Sequence, residues 1–223
     1  MNAVIGDLLP VALGVAISPM PIIAVILMLL SPRAGAASLT LLAGWIVGIV
    51  VVVTVVVLVA DPTDDSQAGN PSTLASVVKL LLGSAVVLIG VREWRHRPLE
   101  GETPEVPKWM GAIDEVTPLK AFGLGALLSG VNPKNLALGL AGGVIIASGG
   151  LSSGQTVVAI AVFVVIASST MAIPVIGYLV ARERMQAPLG RLRDWLTDNN
   201  ATVMSVLLLV IGVAIFGKGL AGL

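Results

Sequence analysis

Two short motifs hold the residues of this chain best suited to chemistry. Ser18-Pro19-Met20-Pro21 interrupts one apolar run, and Asn132-Pro133-Lys134-Asn135 interrupts another. Proline has no backbone N–H and clashes with the preceding turn, so it breaks a helix that reaches it. Its favoured helical place is the first position of a new helix. Ser and Asn are favoured N-caps, so Ser18-Pro19 and Asn132-Pro133 each read as a cap followed by a first residue. Two helices starting inside an apolar environment would aim unpaired N–H groups and positive dipole ends inward, where anions are stabilised. Lys134 adds a full positive charge at that depth, where a charge is costly and marks a candidate functional site. No Asp or Glu falls in the core of any apolar run to pair with it; Asp7, the nearest, sits near the end of the first run. The competing reading is that Lys134 snorkels to an interface or caps carbonyls freed by Pro133. Asn135 and Ser129 are placed to add hydrogen bonds.

The elements that position these motifs follow from composition. The chain has 223 residues, 56% hydrophobic, 12% charged and 4% aromatic, with a mean hydropathy of +0.99. Soluble domains carry about a quarter charged residues, so this chain lacks a soluble surface. Thirteen Lys plus Arg balance 13 Asp plus Glu, which argues against a nucleic-acid partner, since phosphates demand a basic excess. With no cysteine, thiolate metal sites and disulfides are excluded, and with one histidine, His96, a histidine-rich metal site or a Ser-His-Asp triad is not expected. No nucleophile–base pair or carboxylate pair lies within the runs, so an enzyme is not expected, nor is a metal or cofactor.

A bilayer core of roughly 30 Å needs about 20 apolar helical residues. Six runs qualify: about Val4–Leu30, Ala37–Ala60, Leu74–Val91, Pro118–Ala147, Gln155–Val180 and Ala201–Leu220. Ile46 to Val59 shows no alternation, against a β-barrel. No Lys or Arg precedes Arg33, so the start reads as a retained helix rather than a signal peptide. Arg33, Arg92, Arg95, Arg97, Lys108, Lys120, Arg182, Arg184, Arg191 and Arg193 all fall at one set of loops, whereas the alternate loops, Asp61–Ser72 and Ser148–Gly154, hold none. The positive-inside rule makes the basic side cytoplasmic and puts both termini outside. Trp94, Trp109 and Trp195 then read as interfacial anchors, and Pro107–Val116 as a short surface helix.

The chain also repeats. Pro19 and Pro133 lie 114 positions apart, Thr54 and Ser168 share that offset, and Gly83 with Gly90 matches Gly212 with Gly219. Three spans per copy force the second copy upside down, the plan of many secondary transporters, whose paired helix breaks point to the substrate site. The expected fold is an all-α membrane protein, one integral domain of six transmembrane helices. It divides into two inverted three-helix repeats, residues 1–91 and 118–223, joined by a cytoplasmic linker, 92–117. Spans one and four are broken at their Pro motifs, and the breaks should face each other. The mid-span hydroxyls of Ser168, Ser169 and Thr170 are expected to bond within their own helix or to a neighbour, and Lys79 to reach the outer interface with no further role.

The run ISPMPIIAVILMLLS from Ile17 to Ser31, the following PRA, Gly44-Trp45, VNPKNLAL from Val131 to Leu138, and the tail from Arg191 to Val213 together resemble the Sap/GAP family, the sulfolipid- and peptidoglycolipid-addressing members of the LysE-like membrane proteins. The resemblance covers nearly the whole chain. It implies that Ser18, Pro19, Pro21, Asn132, Pro133, Lys134 and Asn135 form the family's central motifs. It implies an exporter in the inner membrane of a bacterium, moving an anionic amphiphile or glycolipid across or towards the cell surface, with membrane lipids as surroundings. A homodimer and association with lipid-export machinery are further expectations. Relatives that export metal ions are poor guides, because this chain lacks the ligands. An amino-acid-type exporter of small solutes and a non-transporting scaffold of an export complex are the alternatives.

Overall fold

The computed structural model describes residues 1–31, 34–59, 73–97 and 116–222. Among the described residues every regular element is a helix: α1 (Asn2–Ala16), α2 (Pro19–Leu30), α3 (Ala34–Val59), α4 (Thr73–Arg95), α5 (Pro118–Gly130), α6 (Pro133–Ala147) and α7 (Ser153–Leu220). The two interruptions expected from the prolines are present. Helices α1 and α2 are bent by 52° at the first of them. The loop Asp61–Ser72, Trp109 and, apart from Val116, the segment 107–116 lie outside the described residues.

Local chemistry sets the boundaries. Thr117 caps α5 by accepting from the Lys120 amide at 3.4 Å, with Pro118 as first residue. The Asn132 side chain caps α6 by accepting from the Lys134 amide at 3.1 Å, followed by Pro133. Gly150, at φ 59°, takes the left-handed conformation that an L side chain resists and turns the chain from α6 into α7. The Ser152 amide there donates to the Gln155 side chain at 3.1 Å.

Helices α3 and α7 are each long and apolar enough to cross a membrane, and α1 with α2 makes a third if the bent pair is one span. The outward faces support that setting. Leu58, Leu88, Val165, Ile173 and Val213 are all well exposed, a lipid-facing pattern rather than a water-facing one. Helix α7 differs from the sequence expectation of two spans joined by a loop. Its 68 residues are helical except at Ala181 (φ −142°, ψ 54°), where two limbs, 153–180 and 182–220, meet at a kink. Gly177 there faces the Met185 side chain across the corner. The basic stretch 182–198 is helical despite Pro188 and Gly190, with Arg, Glu, Met, Gln, Ala and Leu, all good helix formers, in most other places.

Glycines set the closest approaches. Gly44 lies against the Phe122 carbonyl, Gly48 against Ser129 and Ala126, and Gly125 against the Leu41 carbonyl. From Gly44–Phe122 to Gly48–Ala126 both partners advance by four residues, so α3 and α5 run parallel with touching backbones. Helix α4 meets the second limb of α7 antiparallel. A Cβ on Gly83 would stand 2.5 Å from the Phe216 amide nitrogen, and one on Gly212 would stand 2.8 Å from that of Val87. Gly90 meets Leu209, and Gly219 meets Leu80. Within this frame Leu8, Ile26, Met28, Leu41, Trp45, Leu138, Phe163 and Met171 form a fully buried core.

Candidate functional site

The C-terminal end of α1 leaves carbonyls without intrahelical partners, because Pro19 and Pro21 cannot supply N–H groups. Two of them are met by other groups. The Ala16 carbonyl accepts from the Ser18 amide at 2.8 Å and from the Thr170 hydroxyl of α7 at 2.5 Å. The Ile17 carbonyl accepts from Lys134 Nζ at 3.0 Å.

Lys134 is 2% exposed, although it is one of the largest side chains in the interior. It does not snorkel. Its ammonium donates to the Ile17 carbonyl, to Ser18 Oγ at 2.6 Å and, weakly, to Met204 Sδ at 3.7 Å. Ser18 Oγ passes the bond on to Asn135 Oδ1 at 2.9 Å, and Asn135 Nδ2 donates to the Leu128 carbonyl at 2.9 Å. The result is a chain of aligned donors from α6 to the first break and back to the end of α5. Such chains polarise one another in a low-dielectric interior.

This geometry answers how a buried cation stands without a carboxylate. Asp7 is not its partner; it pairs with Lys218 at 2.5 Å, with both side chains substantially exposed. The ammonium instead sits at the C-terminal, negative end of the α1 dipole, which favours cations. The carbonyl capped is one freed at the first break, not at Pro133.

The eight sequence candidates divide. Ser18, Lys134 and Asn135 meet directly, and Asn132, Pro19, Pro21 and Pro133 shape the two breaks around them. Ser129 does not join: it is buried, bonds back to the Ala126 carbonyl at 3.1 Å and faces Gly48. Ser18 occupies the N-cap position of α2 without capping it, since its hydroxyl serves Lys134 and Asn135. The helix ends also offer fewer free N–H groups than expected. Two of the first three residues of α2 are proline, and in α6 the Lys134 amide is taken by Asn132. The ammonium is therefore the main donor of the site. Sequence reasoning missed the Ile17 carbonyl and Met204, which carry no motif; Thr170 behaves as the neighbour-bonding hydroxyl expected, and Ser169 bonds back to Ile166 at 2.7 Å. Among the described residues Ser168 Oγ and Trp45 Nε1 are buried without a partner, and no cluster of His, Asp or Glu is arranged to hold a metal.

A family model described as Sap, sulfolipid-1-addressing protein, matches residues 8–221, nearly the whole chain. No curated protein matches, and no solved structure matches.

Proposed function

The chain belongs to the sulfolipid-1-addressing protein family, and from that premise we propose that it is an exporter that moves an anionic amphiphile or glycolipid across or towards the cell surface by alternating access. The observation that carries this is the meeting of the two broken helices at Lys134, whose ammonium bonds Ile17 and Ser18 across 116 to 117 residues of chain. An anionic group reaching the site competes for that ammonium with a neutral carbonyl and a hydroxyl. A full negative charge attracts the ammonium more strongly in a low-dielectric interior than the dipole of a carbonyl or hydroxyl does, so the anion wins Nζ and frees Ser18. The bond between the two broken helices is then exchanged for bonds to substrate, and the halves are free to rock around it.

The architecture proposed is six spans in two inverted repeats. The contacts of α4 with α7 support it. Shifting residue numbers by 129 turns Gly83 into Gly212 and Val87 into Phe216, so the Gly83–Phe216 contact becomes the Val87–Gly212 contact. The same shift turns Leu80–Gly219 into Leu209–Gly90. Reciprocity of this kind is what a two-fold axis produces. The parallel run of α3 and α5 supports a common starting side for both, the side carrying Arg33 and Lys120. With basic loops inside, both termini face outward from a bacterial inner membrane. No chemistry beyond movement of the substrate is proposed.

The test is comparison of surface-exposed and internal lipid pools in cells producing the wild-type chain or Lys134→Met. The variant is expected to insert normally and lose export. Normal export by a well-inserted variant would sink the anion-site reading, and transport of small amino acids rather than lipid would shift the assignment to a small-solute exporter.

A further inference from the structure

A second positively charged site lies apart from Lys134. A cavity of about 470 Å³ opens where the first turn of α3, the first residues of α5 and the corner of α7 meet. At about 30 Å³ per water this holds roughly fifteen waters, far more than one small anion fills. Its α3 wall is Ala34 to Ala37, in which Ala34 and Ala37 are buried, Gly35 is half-buried and Ala36 is exposed. First-turn amides have no intrahelical partner; among the described residues only that of Ala34 is bonded from outside the helix, to the Ser31 carbonyl at 3.2 Å. Pro118 brings the positive end of α5 to the opposite wall.

The corner of α7 supplies side chains. Arg182 lines the cavity, its guanidinium 5.5 Å from the Tyr178 ring centroid, and it makes no ion pair among the described residues. Tyr178 is only 4% exposed and also lines the cavity. No hydrogen bond from its hydroxyl is present among the described residues, so this largely buried side chain keeps a donor free for a ligand. Among the described residues no acidic side chain lines the cavity. Along α7, Tyr178 is eight residues from Thr170, which bonds the first helix break, or about 12 Å at 1.5 Å per residue. The cavity therefore stands about two helical turns along α7 from the first helix break, towards the basic corner.

We propose that this cavity binds a tetrahedral oxyanion, a sulfate ester or phosphate, together with the polar group that carries it, through Arg182, the Tyr178 hydroxyl and the first-turn amides of α3. It is an entry site that loads the anion before it reaches Lys134. The entry role rests on the exporter reading; the oxyanion site itself does not.

Tyr178 is the chain's only tyrosine, so growth on 3-fluorotyrosine gives the full-length protein a single ¹⁹F resonance beside the cavity. Octyl sulfate should shift that resonance saturably, and octyl glucoside should not. Arg182→Gln should weaken the response at least tenfold, and Arg182→Lys less. Ala36→Asp, which puts a carboxylate on the exposed first turn of α3, should abolish it in a protein whose helix content is unchanged. A weaker response to sodium sulfate identifies a lipid-borne anion as the ligand; an equal response identifies free oxyanion, with the site intact. No shift, an equal shift with octyl glucoside, or indifference to both variants would overturn the proposal. Lys134→Met should leave the shift in place. If export fails in the wild-type chain while the shift persists, the exporter reading falls and this site stands.

Discussion

Lys134 Nζ lies 2.6 Å from Ser18 Oγ, so the two proline breaks are joined by one charge-assisted hydrogen bond between residues 116 positions apart. Each partner also serves a second group, Lys134 the Ile17 carbonyl and Ser18 the Asn135 side chain. Losses at this pair should therefore not add. Ser18→Ala removes an acceptor from a buried ammonium, which costs about 1–3 kcal/mol. Lys134→Met strands the Ile17 carbonyl but removes the buried charge. The double variant should recover roughly 0.5–3 kcal/mol relative to the sum of the singles. Thermal unfolding of the detergent-solubilised proteins measures it, and strict additivity would mean that the bond does not form.

The exposed ion pair at the other end of the molecule should behave differently. Asp7 and Lys218 have side chains 51% and 38% exposed, where solvent screening leaves an ion pair worth about 0–1 kcal/mol. Asp7→Asn should move the melting temperature far less than Ser18→Ala does. A larger loss at Asp7 would show that the pair is shielded from solvent.

Glycine substitutions should sort by location. Gly83→Ala and Gly212→Ala place a Cβ within 3 Å of backbone on the facing helix, and overpacking of that kind costs about 1–3 kcal/mol. Gly217→Ala, with nothing within 4 Å, should be neutral or gain up to about 1 kcal/mol from helix propensity. Equal effects at the three positions would contradict the close approach of α4 and α7.

Sidedness can be read directly because the chain has no cysteine. Single replacements Gln67→Cys and Asn2→Cys should react with an impermeant maleimide added to intact cells. His96→Cys and Met185→Cys should react only after permeabilisation. Labelling of Met185→Cys from outside would overturn the proposed orientation.

The breaks at Pro19 and Pro133, the Asn132 cap of α6 and the membrane setting were legible in the sequence because each is local. A proline after a cap-type residue favours the start of a new helix, whereas Pro10, Pro174 and Pro188 lie inside theirs, and an apolar surface has one favourable solvent. The fate of each polar side chain was not local. Ser18 and Ser129 look alike in sequence, both buried hydroxyls beside a break. One joins Lys134 and the other bonds its own helix under Gly48, a difference set by which helix lies opposite. The acceptor of the Lys134 ammonium was hidden for a related reason, since the Ile17 carbonyl belongs to the backbone and any residue type could have supplied it. Likewise the composition identified Arg182 as one of many basic residues on one side, while only the corner at Ala181 turned it, with Tyr178, towards the start of α3. The sequence determined the two breaks at Pro19 and Pro133 and which solvent the helices need, but not that α7 runs on through the stretch expected as a loop. The tertiary structure decided which buried group answers which, because hydrogen bonds between helices depend on separations in space that no spacing along the chain encodes.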